Sequence, residues 1–265
     1  MDLALEIQKG SFWKRISAWL FDKILLFILA IGTATLLSLI FQYDARLNAY
    51  RDLRTSIEEK YGITFGITEQ EYNSYDEAKK AKYDEAYEAL NANKEAVKLY
   101  SLITNLALLI VTFSFLIAYL ILEFFVPLLF KNGMTLGKKI FGLGVMKQNS
   151  VRITGPILFI RTILGKYAVE LMIPAFVIIK ILLGQGNILF FILLILVPLV
   201  NLIMVIATQN NCFLHDLLSM TCVVDYASQR IFDTEQEMID YVREQHEAEE
   251  AEEREENVFQ TNQKK

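Results

Sequence analysis

The stretch Asn187–Thr208, NILFFILLILVPLVNLIMVIAT, runs 22 residues without an Asp, Glu, Lys or Arg. Ile24–Phe41 does the same over 18 residues and Leu99–Leu122 over 24. A bilayer core takes roughly 17–25 apolar residues per helix, so each run reads as a membrane span. The chain has 265 residues, 54% of them hydrophobic, and a net charge of −5. Charge excluded so completely from three runs rules out an ordinary soluble domain. The first run begins more than 20 residues in and lacks a small-x-small cleavage pattern, so it reads as a retained span rather than a signal peptide.

A fourth span is expected at Tyr167–Leu183, interrupted only by Glu170 and Lys180, with Gly184-Gln185-Gly186 turning the chain into the last run. Four spans put both termini on one side of the membrane. Segment 131–166 carries seven basic residues and no acid, and Lys9, Lys14, Arg15 and Lys23 precede the first run. Excess Lys and Arg near span ends mark the cytoplasmic face, which predicts an N-in, C-in protein. Loop 42–98, with nine basic and twelve acidic residues, is assigned outside.

The fold expected is an all-α integral membrane protein with four transmembrane helices. An extracytoplasmic helical hairpin separates spans 1 and 2, and amphipathic cytoplasmic segments separate spans 2 and 3. Its organisation reads as 1–41, N-terminal flank and span 1; 42–98, outer hairpin; and 99–130, span 2. Then come 131–166, basic amphipathic loop; 167–224, spans 3 and 4 with a His-Asp segment; and 225–265, acidic tail. In the hairpin, Tyr50, Leu53, Ile57 and Tyr61 form one helical stripe, and Gly62 stops it. Thr68-Glu69-Gln70-Glu71 has the form of a capping box opening a second helix, along which Tyr72, Tyr75, Tyr83, Tyr87, Leu90 and Val97 recur. Such a tyrosine stripe reads first as a packing seam. The tail predicts a helix over Thr234–Glu256, read as solvated or as a docking segment.

Ionisable groups at membrane depth cost at least ~2.5 kcal/mol each, so function is sought among them. Arg15, Trp19 and Asp22 share a helix face at the start of span 1. Glu123 closes span 2, Glu170 opens span 3, and His215-Asp216 follows span 4. Topology brings these to one membrane face. One reading of Arg15, Asp22, Glu123, His215 and Asp216 is an ion-pair network that fixes helix ends. The other is an ion or proton site, with His215 titrating near neutrality. Which acid Arg15 meets stays open. Lys138, Lys139 and Arg161 are assigned to lipid headgroups, Leu136–Phe141 and Pro156–Leu164 lying flat as amphipathic segments, with Leu143–Lys147 strand-like between the two. Pro174 and Pro198 interrupt spans 3 and 4. Cys212 and Cys222 read as reduced thiols, and Lys131–Val145 lacks the glycine spacing of a P-loop. No nucleophile–base pair, metal-ligand set or nucleotide fingerprint is visible, so no enzyme, cofactor, metal or nucleic-acid partner is expected. The partners expected are the bilayer, anionic lipid at the cytoplasmic face, and a second copy or another membrane protein.

The ordered motifs resemble the RDD family of membrane proteins, named for one arginine and two aspartates. Those residues fall on Arg15, Asp22 and Asp216. Gly133–Val145 is similar to the family's G-x-T-x-G-K-x-x-x-G-x-x-V stretch, and Leu158–Arg161 and His215–Val224 continue the match. The resemblance covers residues 12–41 and 100–226; the long hairpin and acidic tail depart from it. It implies a membrane protein whose relatives are proposed to act in transport, including sodium/proton antiport, or as regulators and assembly partners. Two functions therefore stand: small-cation/proton exchange through the carboxylate and arginine cluster, or non-catalytic binding of a membrane partner through hairpin or tail.

Overall fold

The computed structural model describes residues 7–130, 132–180 and 187–263. In chain order its elements are α1 (Phe12–Ile40), α2 (Tyr43–Tyr61), α3 (Glu69–Asn73), α4 (Glu77–Ala92) and α5 (Lys94–Leu129). There follow α6 (Leu136–Ile140), strand β1 (Leu143–Lys147), α7 (Gly155–Lys180), α8 (Ile188–Ala207), α9 (Leu214–Leu218), β2 (Thr221–Asp225) and α10 (Glu235–Gln263). Helices α1, α5, α7 and α8 are long and apolar enough to cross a bilayer. Their outer surfaces expose Ile28, Leu39, Val111, Ile188 and Ile206, which only lipid covers at low cost. The protein is a helical, multi-pass membrane protein.

Span 3 differs from expectation. Span 3 starts at Gly155 rather than Tyr167, so Arg161 and Lys166 lie inside its helix and Pro156–Leu164 is not a surface segment. Span 2 continues past Glu123 to Leu129, within the expected 99–130. Both helices contain wide π turns, Leu120–Phe125 in α5 and Ile160–Met172 in α7. Such turns concentrate at functional sites. The Gly184-Gln185-Gly186 turn and Lys131 lie outside the described residues.

The chain divides into two compact units, Phe27–Ile117 and Met1–Leu26 with Ala118–Lys265. In the first, Phe27 meets Phe115 edge-on at 5.8 Å, and Thr33 Oγ1 donates to Ser114 O at 3.3 Å. The helix after span 1 is not continuous with it, because Gln42 takes a left-handed conformation (φ 51°) between α1 and α2. Gly62, at φ 66°, ends α2 as expected, where a side chain would be strained. The capping box forms, with Thr68 Oγ1 accepting from Glu71 N and Glu71 Oε2 accepting from Thr68 N. It opens only the short α3, however. Asp76 then caps α4 separately through Lys79 N at 2.7 Å, so the expected second helix is two. The tyrosine stripe is a seam: Tyr83 packs edge-on against Phe65 and Tyr72 above a core of Ile57, Ile63, Phe65, Ala86, Leu90 and Ala96.

The second unit holds an antiparallel pair, β1 with β2, in the register Leu143↔Asp225 to Lys147↔Thr221. The strand-like reading of 143–147 holds, whereas its partner β2 was not expected. Ala18 of α1 and Leu158 of α7 pack on Leu143, Val145 and Val223. Met146, Cys212, Cys222 and Val224 form a second cluster, with both cysteines free and buried. Burial pushes the Cys222 thiol up to about 12, so it behaves as a small apolar side chain. The tail helix α10 extends beyond the expected limit, and its start docks through Met238 and Val242 onto Val151 and Phe232.

Candidate functional site

Five sequence-selected residues, Arg15, Asp22, Glu123, His215 and Asp216, converge in the second unit, and each has its own partner. Asp22 accepts hydrogen bonds from Thr135 Oγ1 at 2.5 Å and Gly137 N at 2.8 Å, with Lys138 Nζ at 3.9 Å. It therefore holds the N-terminal turn of α6 against α1, where an anion meets unpaired backbone donors. That seat needs glycine: a Cβ on Gly137 would lie 2.4 Å from Ala18 O. Thr135 and Gly137 thus acquire a physical reason for their spacing.

Glu123, in the π turn of α5, pairs with Lys166, and Thr162 Oγ1 donates to the Glu123 carbonyl at 2.9 Å. Thr162, Lys166 and Arg161 all belong to the wide-turn segment of α7. In an ordinary α-helix, residues five apart such as Arg161 and Lys166 would sit about 140° apart. The i→i+5 winding of a π segment brings them toward one side.

Asp216 is fully buried and is flanked by two guanidiniums. Arg161 Nη2 pairs with its Oδ1, while Arg15 Nη2 stands 3.8 Å from its Oδ2. Its Oδ2 also accepts from Phe213 N at 3.0 Å, closing the start of α9. Arg15 therefore faces Asp216, not Asp22. Arg161 Nη1 further donates to Thr221 Oγ1 at 3.1 Å on β2, which explains why the second strand belongs to the site.

Glu170 accepts from His215 N at 3.3 Å, and its Oε1 lies 2.9 Å from His215 Nδ1. The close approach of α9 to α7 is possible because residue 165 is glycine, where a Cβ would meet His215 Cβ at 2.6 Å. Burial first, and then the Arg161 and Lys166 charges, hold the His215 imidazole well below its ordinary value. The near-neutral titration expected of His215 is therefore corrected: it is neutral at physiological pH.

Arg15, Asp22, Glu123, Glu170 and His215 line a cavity of about 60 Å³, together with Trp19 and Lys23. Lys23 Nζ donates to Tyr119 Oη at 2.7 Å. Lys138, held by burial and then by the Lys166 ammonium, has its pKa lowered to about 7. The assignment of Arg161 and Lys138 to lipid headgroups is overturned. Arg161 is 2% exposed, Lys138 turns toward Asp22, and buried acids rather than phosphates satisfy both. Lys139 alone of the three is exposed, with its ammonium 3.9 Å from the Phe130 ring centroid. Lys23, Lys166, Thr135, Thr162 and Thr221 escaped sequence reading. Charge balance was the signal available: acids buried at span ends demand cations, and segment 131–166 holds cations without acids.

Residues 9–220 match the RDD family. The chain belongs to the RDD family. No curated protein and no solved structure matches it. In this RDD protein the arginine and two aspartates do not form one triad. Asp22 fixes α6 to α1, and Arg15 and Asp216 join α1 to α9 and, through Arg161, to α7. The matched segment includes the helical hairpin, while the whole acidic tail lies beyond it.

Proposed function

We propose that this RDD protein exchanges protons for a small cation across a bacterial cytoplasmic membrane, without catalysing a covalent reaction, and that the Glu170–His215 pair carries the exchangeable proton. Asp22, Glu123 and Asp216 each face a lysine or arginine, which removes the free negative charge a cation or proton needs. Among the described residues, Glu170 has one ion-pair partner, His215, and that partner is neutral. This one unneutralised acid beside the cavity carries the proposal. The remaining cluster residues then set its field rather than bind the ion. Basic residues of 131–166 favour the cytoplasmic side for the cluster and both termini, with 42–98 outside and 225–265 inside.

The test is cation-driven proton flux in proteoliposomes, with sodium, potassium and lithium pulses at equal reconstitution. The reading expects flux from wild type, lost in Glu170→Gln at unchanged helicity. Folded wild type that passes no protons with any of the three cations would sink it, as would wild-type flux from Glu170→Gln.

A partner-binding role rests on a separate observation. The hairpin carries its own buried core and a cleft of about 360 Å³ lined by Tyr50, Phe65, Tyr83, Tyr87 and Tyr100. Tyr-rich prefolded surfaces suit protein recognition. Under this reading, removal of residues 46–94 abolishes function while flux, if any, persists.

A further inference from the structure

Two cavities in the second unit share a wall. The smaller is the charged cavity of about 60 Å³. The larger, about 590 Å³, is bounded by Phe12, Ile16 and Trp19 of α1 and by Pro198, Leu202 and Val205 of α8. Arg15, Trp19, Glu170, Phe213 and His215 line both. The larger falls within the roughly 300–1,000 Å³ of small-molecule sites, and its walls are mostly apolar. The asparagines in its lining are occupied by backbone, Asn201 Oδ1 accepting from Leu214 N at 2.9 Å and Asn211 Nδ2 donating to Val205 O at 2.8 Å. A polar solute would find few free partners along this wall.

At the junction the chemistry changes. Arg15, Lys23, Lys138, Arg161 and Lys166 face Asp22, Glu123, Glu170 and Asp216, five basic side chains among four acids. The Arg15 side chain is 9% exposed. Its buried Nη2 has no hydrogen-bond partner among the described residues, Asp216 being out of bonding range at 3.8 Å. A buried guanidinium donor without an acceptor is costly, and a carboxylate is the acceptor that fits its planar fork.

We infer that the joined cavities hold a single-chain amphiphile with an anionic head, a long-chain fatty carboxylate, its head at Arg15 and its chain between α1 and α8. The head must be small. A water needs roughly 10–15 Å³ of such space, so about 60 Å³ admits a few waters' worth of atoms and not a phosphoglycerol group. The chain reaches the site laterally from the bilayer, since Trp19 and Leu202 are exposed on the spans that border it. This inference does not rest on proton exchange, although Glu170 and His215 line the site, and it survives if no flux is found.

Trp13 and Trp19 are the two tryptophans of the chain, so Trp13→Phe leaves a single tryptophan, in the shared wall, to be excited selectively. The full chain in phosphatidylcholine nanodiscs is titrated with stearate brominated at mid-chain. Saturable quenching of Trp19 is expected, displaced by oleate and not by its methyl ester. Arg15→Gln should weaken the saturable component about tenfold or more, the usual worth of a hydrogen bond between charged groups. Because Arg15 also faces Asp216, a second variant leaves the charges alone: Val205→Phe fills the chain cavity and should abolish saturation at unchanged helicity. Quenching that rises linearly with membrane loading overturns the inference, as does equal displacement by the methyl ester. Wild-type saturation in Val205→Phe does so too.

Discussion

Asp216→Asn removes one charge at a residue with no solvent exposure, keeps its size, and leaves two buried guanidiniums behind. Asn can still accept from Phe213 N, so the α9 cap survives and the loss is electrostatic. Breaking a buried ion pair by removing one partner costs about 3–5 kcal/mol. Arg161, with only 3% of its side chain exposed, has nowhere to hydrate, which argues for the upper part of that range. Asp22→Asn provides the internal comparison. Its cation, Lys138, sits 3.9 Å away with a pKa near 7 and can shed its proton. That variant should therefore lose less, about 1–3 kcal/mol, chiefly from a weakened α6 cap. The assay is reversible unfolding of the purified protein in mixed micelles at pH 8, followed by far-ultraviolet circular dichroism. Adding Arg161→Gln to Asp216→Asn should recover part of the loss, because it removes the orphaned charge. A loss below about 1 kcal/mol for Asp216→Asn, or one no larger than that of Asp22→Asn, would refute the reasoning.

Gly165→Ala should cost about 1–3 kcal/mol in the same assay, since its Cβ would lie 2.9 Å from His215 Cα and force α9 away from α7. Lys138 has a folded pKa below its unfolded value near 10.5, so the unfolded chain binds more protons between about pH 7 and 10.5 and stability rises with pH across that window. Lys138→Met should flatten that rise in pH-dependent melts. His215 is shifted in the same direction from 6.5, so stability falls as pH drops below about 6.5, and His215→Asn should blunt the fall. Thr68→Ala should cost the hairpin about 0.5–2 kcal/mol through loss of its capping box, read by hydrogen exchange at residues 69–73.

The membrane spans were legible because the cost of a charge in hydrocarbon is local: the run Asn187–Thr208 needs no knowledge of what packs beside it. Caps were legible for the same reason, as at Gly62 and Thr68, where the deciding bonds lie within a turn. Arg15, Asp22, Glu123 and Asp216 could be singled out as ionisable groups at span ends, since burial of charge is exceptional wherever it occurs. Their partners could not. Asp22 bonds Gly137 and Asp216 meets Arg161, across separations that no periodicity encodes.

Arg161, misassigned, and Lys166, passed over, show where local reasoning ends. Arg161 and Lys166 look like interfacial residues only if α7 begins after them and winds at 3.6 residues per turn. In the folded chain the helix begins earlier and widens, and two buried acids, Asp216 and Glu123, recruit the two side chains. Strand β2 escaped notice for a related reason, because a five-residue strand is defined by its partner β1 rather than by its own composition. Sequence alone thus determined the solvent of each segment, water or lipid, because transfer free energy is summed residue by residue. Tertiary structure decided which charge answers which, because Coulomb energy and hydrogen bonding depend on distances that exist only after the helices have met.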